Sequence, residues 1–270
     1  MDIRTTVRTT AQNVIDEVQF RFDVFPTLYY QPLPWIGLTS AKRGEGTVAR
    51  WTAIEASLAD HSISSALDIG CAVGYFSISL ALKGVPVLGV EMDSRVLRIA
   101  MHTSKRLAID NIGFSLMAVN LETTRLLPNV DLVLLLSVWH HWVRQYGLDD
   151  AGRLLSMVWE KTSKVLVFET GEAEMPEEFG LPDMTPTPRD WLEHYLTSVC
   201  DASTAVHLGQ FKAFGPGGDE NCNIVERNLF MLVRSAEAIS KPANNTTAAA
   251  KETNVSTAGA TTGSLPLHLP

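Results

Sequence analysis

Two acidic residues at the ends of successive apolar runs are the first groups in this chain whose types and spacing carry chemistry. Asp68 lies in Leu67-Asp68-Ile69-Gly70-Cys71-Ala72-Val73-Gly74-Tyr75-Phe76. Glu91 lies in Val87-Leu88-Gly89-Val90-Glu91-Met92-Asp93, 21 residues after Gly70. Gly70 allows the backbone to turn sharply and to approach a ligand closely, and Gly74 allows tight entry into a helix. A turn that cradles a pyrophosphate offers Gly-x-Gly-x-x-Gly at a helix N-terminus. Here the turn has lost a glycine and gained a carboxylate, which suits a cationic ligand without phosphate. A carboxylate about 20 residues further on accepts hydrogen bonds from ribose hydroxyls.

A second group follows in Ser137-Val138-Trp139-His140-His141-Trp142. It leaves an apolar strand at the end where ligands bind in open parallel sheets. His140 and His141 are candidate proton acceptors near neutral pH, with Trp142 as a candidate wall of the substrate site. Thr170-Gly171-Glu172 leaves the next strand at the same edge, so Glu169 or Glu172 is a candidate substrate contact. In the N-terminal segment, Tyr29, Tyr30, Gln31 and Arg43 are candidates for a lid, with Tyr30 and Arg43 touching substrate. Lys42, Arg43, Arg144 and Arg227 are the cations available should the acceptor be a phosphate. No metal site is expected. Adjacent histidines diverge, no third ligand is evident, and Cys71, Cys200 and Cys222 are scattered without a Cys-x-x-Cys pair.

These groups need strand ends to hold them, and the pattern supplies them. Strands are expected over 64–69, 85–91, 112–119, 131–137 and 164–169. Helices are expected over 75–83, from the Asp93 cap to 107, and over 148–161. The second of these should turn Val96, Ala100, Thr103 and Leu107 inward, and an earlier helix should present Val48, Trp51, Ile54 and Leu58. Near-continuous apolar strands alternating with helices imply a parallel sheet covered on both faces. Thr187 and Pro188 open a last helix. Two strands, 205–214 and 227–234, then follow with a Gly-Pro-Gly-Gly loop between them, so the chain should close on an antiparallel hairpin.

The 270 residues divide into an aromatic, proline-rich N-terminal extension over 1–45, a ligand-binding domain over 46–238, and a tail over 239–270. The tail has too few large apolar residues to offset its ordering entropy and is expected to be disordered. Apolar residues make up 46% of the chain, enough for a full core, and the net charge of −8 disfavours nucleic acid as a partner. No apolar run reaches the roughly 20 residues of a membrane helix, and the N-terminus has no signal-like apolar stretch. A reducing, cytoplasmic setting fits the scattered cysteines.

On the Asp68–Gly70–Gly74 turn, the Glu91 strand end and the closing hairpin, the sequence from about residue 66 to 234 resembles the class I S-adenosylmethionine-dependent methyltransferases. The resemblance implies an α/β fold: a doubly wound, mostly parallel, seven-stranded sheet with a terminal antiparallel β-hairpin. It implies S-adenosyl-L-methionine as cofactor. Asp68, Gly70 and Gly74 would shape the methionine pocket, with Cys71, Tyr75 and Phe76 beside them in the cofactor-binding segment, Glu91 would hold the ribose and Met92 would pack on the adenine. Asn120 and Leu121 would meet the adenine edge, and Ser137 would close the site. Ala72 stands where the family often has glycine. More loosely, the chain resembles bacterial methyltransferases of small molecules, sugars or phosphate ends of glycans. The expected reaction is methyl transfer to an oxygen, with nitrogen as second choice. An aminopropyl transferase, a nicotinamide-dependent dehydrogenase and a non-catalytic regulatory module with the same fold are the rivals, and fold alone does not decide among them.

Overall fold

The computed structural model describes residues 31–39, 44–201, 204–214 and 224–234. Seven strands form one sheet: β1 (Ala66–Ile69), β2 (Val87–Glu91), β3 (Ile112–Leu116), β4 (Val130–Leu136), β5 (Thr162–Glu169), β6 (Thr204–Phe214) and β7 (Ile224–Val233). Their spatial order is β3-β2-β1-β4-β5-β7-β6. The first five run parallel, and β7 lies antiparallel between β5 and β6. This is the doubly wound sheet with a closing hairpin that the alternation of elements implies. β4 is buried along nearly its whole length, as an apolar strand covered on both faces must be.

The helices are α1 (Gly44–Ser57), α2 (Tyr75–Leu82), α3 (Ser94–Arg106), α4 (Trp139–Tyr146), α5 (Leu148–Glu160) and α6 (Pro188–Cys200). Asp93 caps α3 by accepting from the Arg95 amide at 2.8 Å, and Thr187 caps α6 by accepting from the Asp190 amide. On α3 the buried stripe is Leu97, Ile99, Ala100, Thr103 and Ser104, rotated from the expected face, so Val96 and Leu107 are only half buried. On α1, Val48 is exposed and Thr47 and Ile54 are buried. The reason is Gly46: a Cβ there would stand 2.0 Å from the Lys212 carbonyl oxygen, so the bare glycine edge of α1 rests directly on β6.

The feature with most bearing on function is α4, which pattern reading ran together with the end of β4. Its apolar positions Trp139, Trp142 and Val143 are buried at helical spacing, and Gly147, at φ 83°, ends it. The residues between β4 and Gly147 therefore form one wall-building helix. The expected tail and most of the N-terminal extension lie outside the described residues.

Candidate cofactor and acceptor site

The turn after β1 packs three left-handed residues into five positions: Gly70 at φ 73°, Ala72 at φ 50° and Gly74 at φ 84°. Ala72 is the one with a side chain, and that conformation costs an L-residue roughly 1–2 kcal/mol. Its amide donates to Glu91 Oε2 at 3.0 Å. The other Glu91 oxygen accepts from the Met92 and Asp93 amides at 2.7 and 2.9 Å. Glu91 therefore does two things: it stitches the β1 turn to the end of β2 and presents what remains of its carboxylate to a cavity. The stitch has no signature in the sequence beyond the acidic residue itself. Asp68 sits beneath the turn, 2% exposed. It accepts from Ser77 Oγ at 2.5 Å, and burial pushes its carboxyl up to about 7, against the lowering effect of that bond.

A cavity of about 560 Å³ opens at the C-terminal ends of β1, β2 and β4, within the usual range for small-molecule sites of about 300–1,000 Å³. Gly70 and Ala72 line it from the turn, Glu91 and Met92 from β2, and Met117, Ala118 and Val119 from the segment after β3. Ser137, His141, Trp142 and Arg144 line it from the end of β4 and from α4. Of the residues singled out from sequence, Gly70, Glu91, Met92, Ser137, His141 and Trp142 are thus brought together.

Several others are placed elsewhere. Cys71 is 1% exposed, its thiol turned into the protein. Gly74 caps α2. Tyr75 and Phe76 pack edge-on to each other in the apolar layer over the sheet, with Trp35 against Tyr75, because α2 is buried on nearly every side. Asn120 spends its side-chain oxygen on the Glu122 and Thr123 amides, in an Asx turn that opens a short 3-10 helix. Leu121 packs on the core. The wall after β3 is therefore Met117–Val119, two residues earlier than sequence spacing places it. Tyr30 and Arg43 lie outside the described residues.

The two histidines divide sharply. His140 is 3% exposed. Its Nδ1 accepts from the Gly171 amide at 2.9 Å and lies 3.1 Å from Thr170 Oγ1. An acceptor at Nδ1 places the ring's single proton on Nε2, so His140 is a neutral donor. Burial and the neighbouring His141 and Arg227 hold its pKa far below the ordinary histidine value. His141 is exposed and lines the cavity, its ring 4.2 Å from that of His140. Its pKa is also lowered, by partial burial and by Arg144 and Arg227. Phe179, from the loop after β5, packs on both rings and under the Arg144 guanidinium.

The carboxylates after β5 do not face the cavity. Glu172, 5% exposed, accepts from the backbone and side-chain amides of Asn228, which ties the loop after β5 to β7. Glu169 is fully buried and bonded to Arg50 at 2.5 Å. Arg227 bonds Glu174 at 2.7 Å and is 5% exposed, so it is not the open cation that a phosphate acceptor needs. Among the described residues, no cluster of three metal-ligating side chains occurs.

A family model described as a methyltransferase domain matches residues 67–165, the stretch that holds β1 to β5 and both walls of the cavity. Over this stretch the chain is similar to the class I S-adenosylmethionine-dependent methyltransferases. Over 137 residues it is 33% identical to the O-antigen chain terminator bifunctional methyltransferase/kinase WbdD of Escherichia coli. The match covers 47% of this chain and 18% of that protein. A crystal structure of WbdD superposes with a TM-score of 0.57 at 25% identity, over 76% of this chain and 44% of that one. The magnesium protoporphyrin IX methyltransferase of Synechocystis, solved with bound S-adenosylmethionine, shares the fold at 18% identity, with a TM-score of 0.50 over 70% of this chain and 80% of that one. The cavity fits S-adenosylmethionine: its turn offers bare backbone, its β2 edge offers a carboxylate, and among the described residues no cation lies beside the turn to select a pyrophosphate.

Proposed function

We propose that this methyltransferase moves a methyl group from S-adenosylmethionine to an oxygen of a small molecule, a sugar or the phosphate end of a glycan. The observation that carries the proposal is one cavity bounded by Glu91 on one side and His141 on the other. S-adenosylmethionine supplies an electrophilic methyl on a sulfonium. Glu91 would accept from a ribose hydroxyl with the lone pair its three backbone bonds leave free. Gly70 and Ala72 would bring the backbone against the amino-acid end. Trp142 and the 117–119 segment would sandwich the adenine, with Met92 at its rim.

His141 is the residue we assign to take the acceptor's proton, since a hydroxyl must shed one as the oxygen–carbon bond forms. Its lowered pKa keeps it unprotonated at neutral pH. His140, with its proton on Nε2, would hold the neighbouring ring and the loop after β5 in place. Arg144, half exposed and one helical turn beyond His141 on the same cavity wall, supports a second acceptor class, one that arrives already ionised as a phosphate or carboxylate. The likeness to a protein that terminates glycan chains supports sugar and phosphate ends over other acceptors.

Incubation of the protein with methyl-labelled S-adenosylmethionine and a panel of glycans, phosphorylated sugars and small hydroxylated molecules tests this. Label in an acceptor, with S-adenosylhomocysteine formed in equal amount, is the expected result. Cofactor binding without transfer to any acceptor class would favour a regulatory module instead, and tighter binding of the decarboxylated cofactor would favour aminopropyl transfer. No described helix is long and apolar enough to cross a membrane. Cys71 and Cys200 are free and buried, which supports our proposal that the reaction runs in a reducing compartment, the cytoplasm.

A further inference from the structure

Ser137 is an unusual wall residue. It leaves β4 at φ 58°, in the left-handed region that a residue with a side chain rarely enters, and it lines the cavity. It is tied twice to one neighbour. Its amide donates to the Glu169 carbonyl oxygen at 2.9 Å. Its hydroxyl donates to Glu169 Oε1 at 2.5 Å. Arg227 adds a third tie, donating to the Ser137 hydroxyl at 3.3 Å.

Glu169 is held in turn. Arg50 of α1 bonds its other oxygen, and Arg227 of β7 stands 3.8 Å from the oxygen that Ser137 uses. These two cations hold its carboxyl below the ordinary value although burial alone would raise it, so it meets Ser137 as an ionised acceptor. Glu174 bonds Arg227 from the far side, so each cation is spent on a carboxylate, with Glu172 a further carboxylate beside them. That arrangement fits a brace for its neighbours and offers no open cation to an anionic ligand.

We propose that Glu169 is a positioning residue for methyl transfer. It locks Ser137 into its left-handed turn, with Arg50 and Arg227 as struts, and so fixes the β4 end of the cavity. The inference rests on the reading that this cavity holds S-adenosylmethionine. The lock can be separated from general stability because a glycine adopts the turn without it.

The test measures S-adenosylhomocysteine affinity by calorimetry and melting temperature on the full chain. Ser137→Ala keeps the strain and loses the side-chain tie, and should bind about tenfold more weakly, the scale of one strained residue. Ser137→Gly should stay within about threefold of wild type. Glu169→Leu should weaken binding about tenfold, Glu169→Gln, which keeps an oxygen for Ser137, should restore most of it, and Glu169→Leu added to Ser137→Gly should cost under about threefold more. Should Glu169→Leu not fold, the Ala and Gly pair decides alone. Equal affinity of Ser137→Ala and Ser137→Gly, or an equal Glu169→Leu loss in both backgrounds, overturns the proposal. If wild type does not bind S-adenosylhomocysteine, the cofactor reading fails instead. The lock is then judged by melting temperature, where Ser137→Ala should lie below Ser137→Gly and the reverse order overturns it.

Discussion

Replacing Glu91 by Gln probes the cofactor assignment at the one carboxylate that the described residues place on the cavity wall. An ionised carboxylate has roughly four acceptor positions, and the Ala72, Met92 and Asp93 amides occupy three of them. One position on Oε2 remains for a ribose hydroxyl, where the sequence suggested room for two. A hydrogen bond to a charged group contributes about 1.5–3 kcal/mol. Loss of one such bond weakens affinity by about ten- to a hundredfold. Glu91→Gln should fall near the lower figure, because its amide keeps an oxygen for Met92 and Asp93. Glu91→Ala should lose more, since the Met92 and Asp93 amides then lose their acceptor as well as Ala72. Calorimetry with S-adenosylhomocysteine measures both. Asp93→Asn is the control: it sits next to Glu91 but serves the α3 cap, so it should affect melting more than binding. Affinity of Glu91→Gln within twofold of wild type, in a folded protein, would refute the assignment.

Turnover on a hydroxyl acceptor should rise with pH through a single ionisation lying below the ordinary histidine value, because His141 must be unprotonated to work and its pKa is lowered. His141→Gln should abolish that ionisation, and an unchanged profile would shift attention to an ionised acceptor and to Arg144. His140→Leu should instead lower melting temperature, since it removes the acceptor of the Gly171 amide. Asp68 holds its proton in the folded chain up to about pH 7 and loses it at ordinary carboxylate pH when unfolded. Between those values the folded state binds more protons, so stability from this group falls as pH rises. Melting temperatures from about pH 5 to about pH 8 should show a flatter slope in Asp68→Asn than in wild type. Gly74→Ala puts a Cβ 2.9 Å from that of Ala100 at φ 84°. It should cost about 1–2 kcal/mol, read as a lower melting temperature.

The sheet was legible because its signal is long: five apolar strands between helices, then two strands without one. The left-handed turn was legible in Gly70 and Gly74, whose missing side chains mark the need. Ala72 gave no such mark, because its strain is relieved by a carboxylate 19 residues on. α4 is not legible because it follows the apolar run of β4 after only Ser137 and Val138, and periodicity cannot divide a buried strand from a short helix that continues it. The pairing of His140 with the Gly171 amide and of Ser137 with Glu169 joins the segments that leave β4 and β5, 30 or so residues apart. Such contacts follow from sheet register, which single residues do not encode. Asn120 and Glu172 lie close to that edge, and each has a side-chain oxygen taken up by backbone amides, a partnership that spacing along the chain does not show.

A crystal structure of the protein with S-adenosylhomocysteine bears most directly on the central claim. The account predicts one molecule in the β1–β2–β4 cavity, a ribose hydroxyl on Glu91 Oε2, the adenine between Trp142 and the 117–119 segment, and the sulfur at the Ser137 and His141 end. A ligand bound elsewhere, or one in this cavity with its sulfur end at Met92 and its adenine at Ser137, would contradict it.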